Sequence, residues 1–209
     1  MALVYVARHG ETDWNRDGRY QGQRESSLTE LGERQAAALA GDLGNKGLAR
    51  VISSPLARCV QTAAPLARRA AVALETDARL IEIAHGTWEG RLRADVERED
   101  AERMRAWMQS PATVAFEGGE SLAAVAARWD GFAASLSGKK PVAVITHDVI
   151  VRIAILRAQG RPFADFWQPR VCNGGYAVFE VEDGRWSSLE ANCDHHLEGL
   201  LADASRQAL

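Results

Sequence analysis

The sequence predicts an α/β protein: a three-layer α/β/α sandwich with a mostly parallel central sheet, an edge β-hairpin and a helical insertion. Three observations carry this. Short apolar runs at residues 3–7, 50–53 and 142–146 read as strands buried on both faces. Stretches of helical spacing alternate with them, as a parallel sheet with covering helices requires. Asp183-Gly184 separates two strand-like stretches, 176–182 and 186–190, and is a two-residue hairpin signal.

Taken in order, residues 3–7 end abruptly at Arg8-His9-Gly10. Residues 13–27 are polar and contain Gly, which predicts a loop. Residues 29–43 carry Leu31, Ala36, Leu39, Ala40 and Leu43 at helical spacing, and Gly44 and Gly47 stop the helix. Residues 50–53 form the second strand. Pro55 sits where a helix would start, and 56–69 continue it. Residues 72–80 are expected to be extended and 83–90 to be a loop. Residues 95–109 are charged and helical in character, with 100–105 read as a solvated helix face. The stretch 111–119 breaks that pattern, and Ser121 can cap a helix running to about residue 136. Residues 142–146 are the third strand and 148–159 return to helix. The tail after Leu197 is weakly patterned. With no internal repeat and no low-complexity linker, one domain is expected over 1–209, with residues 90–119 as a helical insertion capping the site.

The chain has 209 residues, 46% of them hydrophobic and 25% charged, which suits one globular core. Its formal net charge of −3 excludes a generally basic nucleic-acid binder and a polyanionic disordered tail. Only Lys46, Lys139 and Lys140 are lysines, so 22 of the 25 basic residues are Arg. Genome base composition accounts for most of that excess, but Arg also suits bidentate contact with phosphate, so individual positions matter. Three dispersed cysteines, Cys59, Cys172 and Cys193, point to neither a disulfide framework nor a zinc site. The N-terminal residues lack a signal-peptide pattern, and no run approaches the ~20 apolar residues of a membrane span. A cytoplasmic protein without membrane or nucleic-acid partners is expected.

Polar constellations follow the three clearest strands: Arg8-His9-Gly10-Glu11-Thr12, Ser54-Pro55-Leu56-Ala57-Arg58 and His147-Asp148. In open α/β sheets ligands bind outside the carboxyl ends of the strands. Two His and two Arg converge there if the strands are neighbours. Together with Asn15, Arg19-Tyr20-Gln21-Gly22, Leu28-Thr29-Glu30-Leu31-Gly32, Gln61-Thr62-Ala63, Leu80-Ile81-Glu82, Gly86-Thr87-Trp88-Glu89-Gly90, Arg152, Asn192 and His196-Leu197, these residues resemble the histidine phosphatase superfamily, the phosphoglycerate mutase-like family, over most of the chain.

The resemblance implies a metal-independent phosphomonoester hydrolase that works through a covalent phosphohistidine on small phosphorylated metabolites. His9 is the implied nucleophile, splitting one displacement into two. Arg8 and Arg58 would grip the nonbridging oxygens, with a protonated His147 as a further donor and Asn15 as an amide contact. Glu82 is the implied general acid, best suited by a raised pKa. No cofactor and no metal ligand are implied. Glu11 is expected to orient Arg8 or His9. Gln21 and Gly22 either line the phosphate pocket or make structural loop contacts, and His85 either faces substrate or fills a loop. Asp194-His195-His196 invites a metal reading, but adjacent side chains rarely point one way, and a structural role is preferred.

Asp148 stands where many family members have Gly. It reads as a helix N-cap, with an acidic group that narrows substrate choice as the alternative. Glu25 stands where Asp is common. After Glu82 the chain lacks the Arg-rich and Pro-rich stretches of the glycolytic mutases, which favours the phosphatase branch. A cofactor-dependent phosphoglycerate mutase is the alternative enzyme. An inactive phosphate-binding or interaction protein is the alternative of another class. The edge hairpin leaves a homodimer open.

Overall fold

The computed structural model describes residues 1–136, 138–203, 207 and 208. The strands are β1 (Ala2–Arg8), β2 (Arg50–Ser53), β3 (Leu74–Thr76), β4 (Val142–Thr146), β5 (Tyr176–Glu182) and β6 (Arg185–Cys193). They form one sheet in the order β3-β2-β4-β1-β5-β6. The first four are mutually parallel, while β5 is antiparallel to both β1 and β6. The expected mostly parallel sheet with an edge hairpin is therefore present. Asp183 and Gly184 take φ values of +50° and +78°, the left-handed pair a two-residue hairpin loop requires.

The helices are α1 (Asp13–Asp17), α2 (Glu30–Leu43), α3 (Ala57–Ala70), α4 (Arg93–Glu99), α5 (Ala101–Gln109), α6 (Leu122–Ser135) and α7 (Asp148–Gln159). Strand residues alternate between the two helical layers. Val4, Val6, Val142 and Val144 face a core with Val125, Trp129, Ile150 and Ile153 of α6 and α7. Tyr5, Ala7, Ala143 and Ile145 face Leu39, Leu43, Cys59 and Leu66 of α2 and α3. Fully buried leucines such as Leu39, Leu43 and Leu66 each contribute roughly 1.5–3 kcal/mol by leaving water. No helix among the described residues is long and apolar enough to cross a membrane.

Two segments differ from the sequence expectation. The loop expected at 13–27 opens with α1, because Thr12 and Asn15 form a reciprocal capping box and Gly18 closes the turn at φ +69°. The helix expected over 95–109 is two helices broken at Asp100, whose carboxylate accepts the buried indole N–H of Trp88 at 2.9 Å. Residues 90–119 also reach into the core. Their Met104, Trp107, Val114 and Phe116 join the α6/α7 core, and Trp107 and Phe116 pack edge-on against the His85 ring.

Candidate active site

The pairing of β1 with β4 and of β4 with β2 aligns Arg8 with Thr146 and Ser53 with Ile145. The three polar constellations therefore leave the sheet side by side. They surround a pocket lined by Arg8, His9, Asn15, Gln21, Gly22, Arg58, Glu82, His85, Asp148, Val149 and Ala208. None of these comes from residues 90–119, whose Trp107 and Phe116 pack on the lining residue His85.

His9 is 3% exposed, and its Nδ1 donates to the Gly10 carbonyl at 2.7 Å. That bond fixes the tautomer and leaves Nε2 with the lone pair. Burial lowers the His9 pKa well below the usual imidazole value, and the Arg58 and Arg8 charges lower it further. The ring is therefore neutral, with its Nε2 lone pair free. Gly10 permits this geometry, because a Cβ there would lie 2.5 Å from the Gly32 carbonyl oxygen at the start of α2.

Arg8 and Arg58 are 1% and 0% exposed. Arg8 donates to Gln207 Oε1 at 2.6 Å and to the Val171 carbonyl at 3.3 Å, while its Nε is buried without a partner. A buried guanidinium N–H left unpaired is a donor prepared for a ligand oxygen. Arg58, in the first turn of α3, donates to the carbonyls of Gly22 at 2.7 Å and Arg24 at 2.8 Å. Glu25 accepts the Ala57 amide at 2.9 Å and satisfies part of the open N-terminus of α3.

The His147 ring stands against Arg58. Its Nδ1 accepts from Arg58 Nε at 3.3 Å, and its Nε2 lies 2.8 Å from Ser54 Oγ, so both ring nitrogens are engaged. It does not line the pocket. Burial, then the Arg58 charge, lowers its pKa well below the usual value, so the expected protonated donor is a neutral ring supporting Arg58. Its ring meets that of His9 edge-on at 5.3 Å. Asp148 is not the helix N-cap, and it lines the pocket. The N-cap position is held by His147, and Asp148 makes no capping bond. Its carboxylate accepts from Arg152 Nε at 2.6 Å and lies 3.7 Å from Arg8, forming a buried Arg–Asp–Arg triad that orients Arg8. Glu11 does not touch Arg8 or His9. Its carboxylate accepts from Thr29 Oγ1 at 2.8 Å.

Glu82 is 7% exposed, and burial raises its carboxyl pKa to about 7; the Ile83 amide bond lowers it, and the nearby Asp148 charge raises it. Asn15 Oδ1 accepts from Thr12 and Asn173, which leaves its amide N–H groups for the pocket. Gln21 Oε1 accepts from Ser26 Oγ at 2.6 Å, leaving its own amide N–H groups available. Gly22 lines the pocket and also makes the structural contact, since its carbonyl holds Arg58. The His85 ring is buried against Tyr20, Trp107 and Phe116, and neither nitrogen has a partner. Burial lowers its pKa to about 3.

Sequence reasoning missed Gln207, Ala208 and Asn173. Asn173 donates to the His9 carbonyl and to Asn15 Oδ1, both at 3.2 Å, and accepts from Gln207 Nε2 at 2.8 Å. Asn173-Gly174-Gly175 carries a turn signal that could have drawn notice. Gln207 has no local signal.

A neutral buried imidazole, two buried guanidiniums and a carboxyl group titrating near neutrality share one pocket at the carboxyl ends of a mostly parallel sheet, and these are group types that phosphate monoester chemistry uses. The chain belongs to the histidine phosphatase superfamily (branch 1), whose family model matches residues 4–194. Phosphoserine phosphatase 1 of Hydrogenobacter thermophilus is 34% identical over 209 residues, 99% of each chain. Glucosyl-3-phosphoglycerate phosphatase of Mycobacterium tuberculosis is 32% identical over 195 residues, 88% of this chain and 86% of that one. The solved structure of YhfR from Bacillus stearothermophilus superimposes with a TM-score of 0.88 at 27% identity, covering 94% of this chain and 100% of that one. The expected fold and enzyme class are thus both met.

Proposed function

We propose that this phosphatase hydrolyses phosphomonoesters of small metabolites in two displacements at His9, without a metal ion. The single observation that carries this is the His9 tautomer: Nδ1–H is committed to Gly10, and the lone pair on Nε2 belongs to a ring shared with Arg8, Arg58 and Glu82 around one pocket. His9 Nε2 attacks phosphorus as the bond to the ester oxygen breaks, and Glu82 passes its proton to that leaving oxygen. The Glu82 carboxylate then takes a proton from water, whose oxygen attacks phosphorus as the P–N bond breaks. Inorganic phosphate leaves with His9 neutral and Glu82 protonated again.

Arg8 and Arg58 supply the charge that a divalent ion supplies in other phosphoryl-transfer sites. Asn15 and Gln21 add amide donors, and the start of α7 at Asp148 and Val149 adds the positive end of its dipole. His147 acts through Arg58 and Asp148 through Arg8, both as positioning residues. Phosphoserine and glucosyl-3-phosphoglycerate, named for two relatives, are phosphomonoesters of small polar molecules, which supports the same class of substrate here. Residues 1–209 act as one domain in this reading.

The test is turnover of p-nitrophenyl phosphate in EDTA by the wild type and by His9→Ala, followed by a panel of phosphorylated metabolites. Activity in the wild type and its loss in the variant are expected. Undiminished turnover by His9→Ala would remove the nucleophile assignment. Interconversion of 3- and 2-phosphoglycerate faster than hydrolysis would make the enzyme a mutase.

A further inference from the structure

His195 and His196, which follow β6, both approach Asp42, near the end of α2. Asp42 Oδ2 lies 3.5 Å from His195 Nε2 and 4.0 Å from His196 Nδ1. All three donor atoms fall within 4.8 Å of one another. The His196 side chain is 5% exposed, and its Nε2 donates to the Gly174 carbonyl at 2.9 Å. Nδ1 is therefore the lone-pair nitrogen, and it is buried without a hydrogen-bond partner. A buried lone pair facing a carboxylate oxygen is an arrangement of two acceptors, which a cation between them resolves.

We propose that Asp42, His195 and His196 bind one divalent transition-metal ion of the Zn²⁺ class. Two imidazoles and one carboxylate suit Zn²⁺, Co²⁺ or Ni²⁺ rather than the all-oxygen preference of Ca²⁺ or Mg²⁺. Ligands of a tetrahedral ion bound at 2.0–2.1 Å lie about 3.3 Å apart. The Asp42–His195 separation is near that value. The side chain of His195 is 65% exposed and free to swing inward, and this exposure also gives the ion its entry path. The outer partners are in place, with Gly174 orienting His196 and Tyr176 donating to Asp42 at 2.6 Å.

The ion would join α2 to the segment after β6, with a structural rather than a chemical role. The Gly174 amide donates to the carbonyls of Arg8 and His9, both at 3.1 Å, so an occupied site stiffens the turn behind the nucleophile.

The full chain, stripped with EDTA and dialysed, is titrated with Zn²⁺ by calorimetry and followed by thermal melting. One ion per chain and a rise in Tm are expected. His195→Ala, an exposed position that leaves the core intact, should weaken binding at least ~10-fold, as should His196→Gln. His9→Ala should bind like the wild type, and hydrolysis in EDTA should persist in His195→Ala. No binding and no Tm change at about tenfold molar excess of Zn²⁺ would overturn the proposal. So would wild-type binding in both His195→Ala and His196→Gln, which would place the ion elsewhere.

Discussion

Gln207 and Arg8, 199 positions apart in sequence, meet through a 2.6 Å hydrogen bond from the Arg8 guanidinium to Gln207 Oε1. The same amide donates to Asn173 at 2.8 Å, so the end of the chain ties the guanidinium to the loop behind His9. A hydrogen bond to a charged group contributes about 1.5–3 kcal/mol. Gln207→Ala is expected to leave the fold intact and lower kcat/KM roughly tenfold, by loosening Arg8 against the phosphate. Steady-state kinetics on one phosphomonoester checks this. An unchanged kcat/KM would mean that Val171 and Asp148 hold Arg8 unaided.

Arg58 makes three different bonds from one planar group, to Gly22, Arg24 and His147. Lysine keeps the charge but cannot reproduce that fork. Arg58→Lys should cost roughly 10²–10³ in kcat, the loss seen when a preorganised transition-state donor is removed. His147→Ala should cost less, because Gly22 and Arg24 still hold the guanidinium. If His147→Ala were the more damaging change, His147 would touch substrate directly, and its supporting role would be wrong.

Legibility followed the range of the forces. Strands 50–53 and 142–146, helix 148–159 and the Asp183-Gly184 hairpin were readable because periodicity and turn chemistry act over a few residues. Arg8, His9, Arg58 and Asp148 were readable as a group because strand ends in such a sheet face one crevice, whereas Glu82 was legible only through the family resemblance. The break at Asp100 was not, since a tertiary bond to Trp88 sets it. The orientation of the His147 ring depends on Arg58, 89 positions away, and the place of Gln207 on a bond to Arg8, 199 positions away. The helix at Asp13–Asp17 was hidden in a polar stretch, where a capping box replaces apolar periodicity.

Glu82 connects activity and stability through one proton. Its carboxyl pKa rises from the ordinary value of 4.5 to about 7. Below both values the folded and unfolded states each carry the proton. Between them only the folded state does, so stability falls as pH rises through this window and levels off above about 7. The full penalty is roughly 3 kcal/mol. Glu82→Gln should remove that slope, making the variant more stable than the wild type at pH 8 while the two converge near pH 4. As the acid of the first displacement, Glu82 should make wild-type kcat/KM decline above about 7. The variant should lose roughly 10²–10⁴ in rate along with that limb of the profile. Urea unfolding at several pH values and a pH–rate profile check both expectations. An identical stability slope in the variant would show that the proton sits elsewhere.

Gly32 gives a test in which two general rules oppose each other. It lies in the first turn of α2, where Gly→Ala in a helix ordinarily stabilises by up to ~1 kcal/mol. Here a Cβ would lie 2.0 Å from the Glu11 carbonyl oxygen and 2.9 Å from its amide nitrogen. Neither is the end of a flexible side chain, so the backbone at Glu11 must move. Overpacking of that kind costs about 1–3 kcal/mol, which exceeds the gain in propensity. Gly32→Ala should therefore lower Tm. Because Gly10 also packs against the Gly32 backbone, the shift should reach the carbonyl that fixes the His9 tautomer. A loss in kcat larger than any change in KM is expected, measured beside Gly41→Ala, which meets nothing within 4 Å and should be neutral or stabilising. A Gly32→Ala protein with raised Tm and full activity would show that β1 and α2 can separate without disturbing the nucleophile.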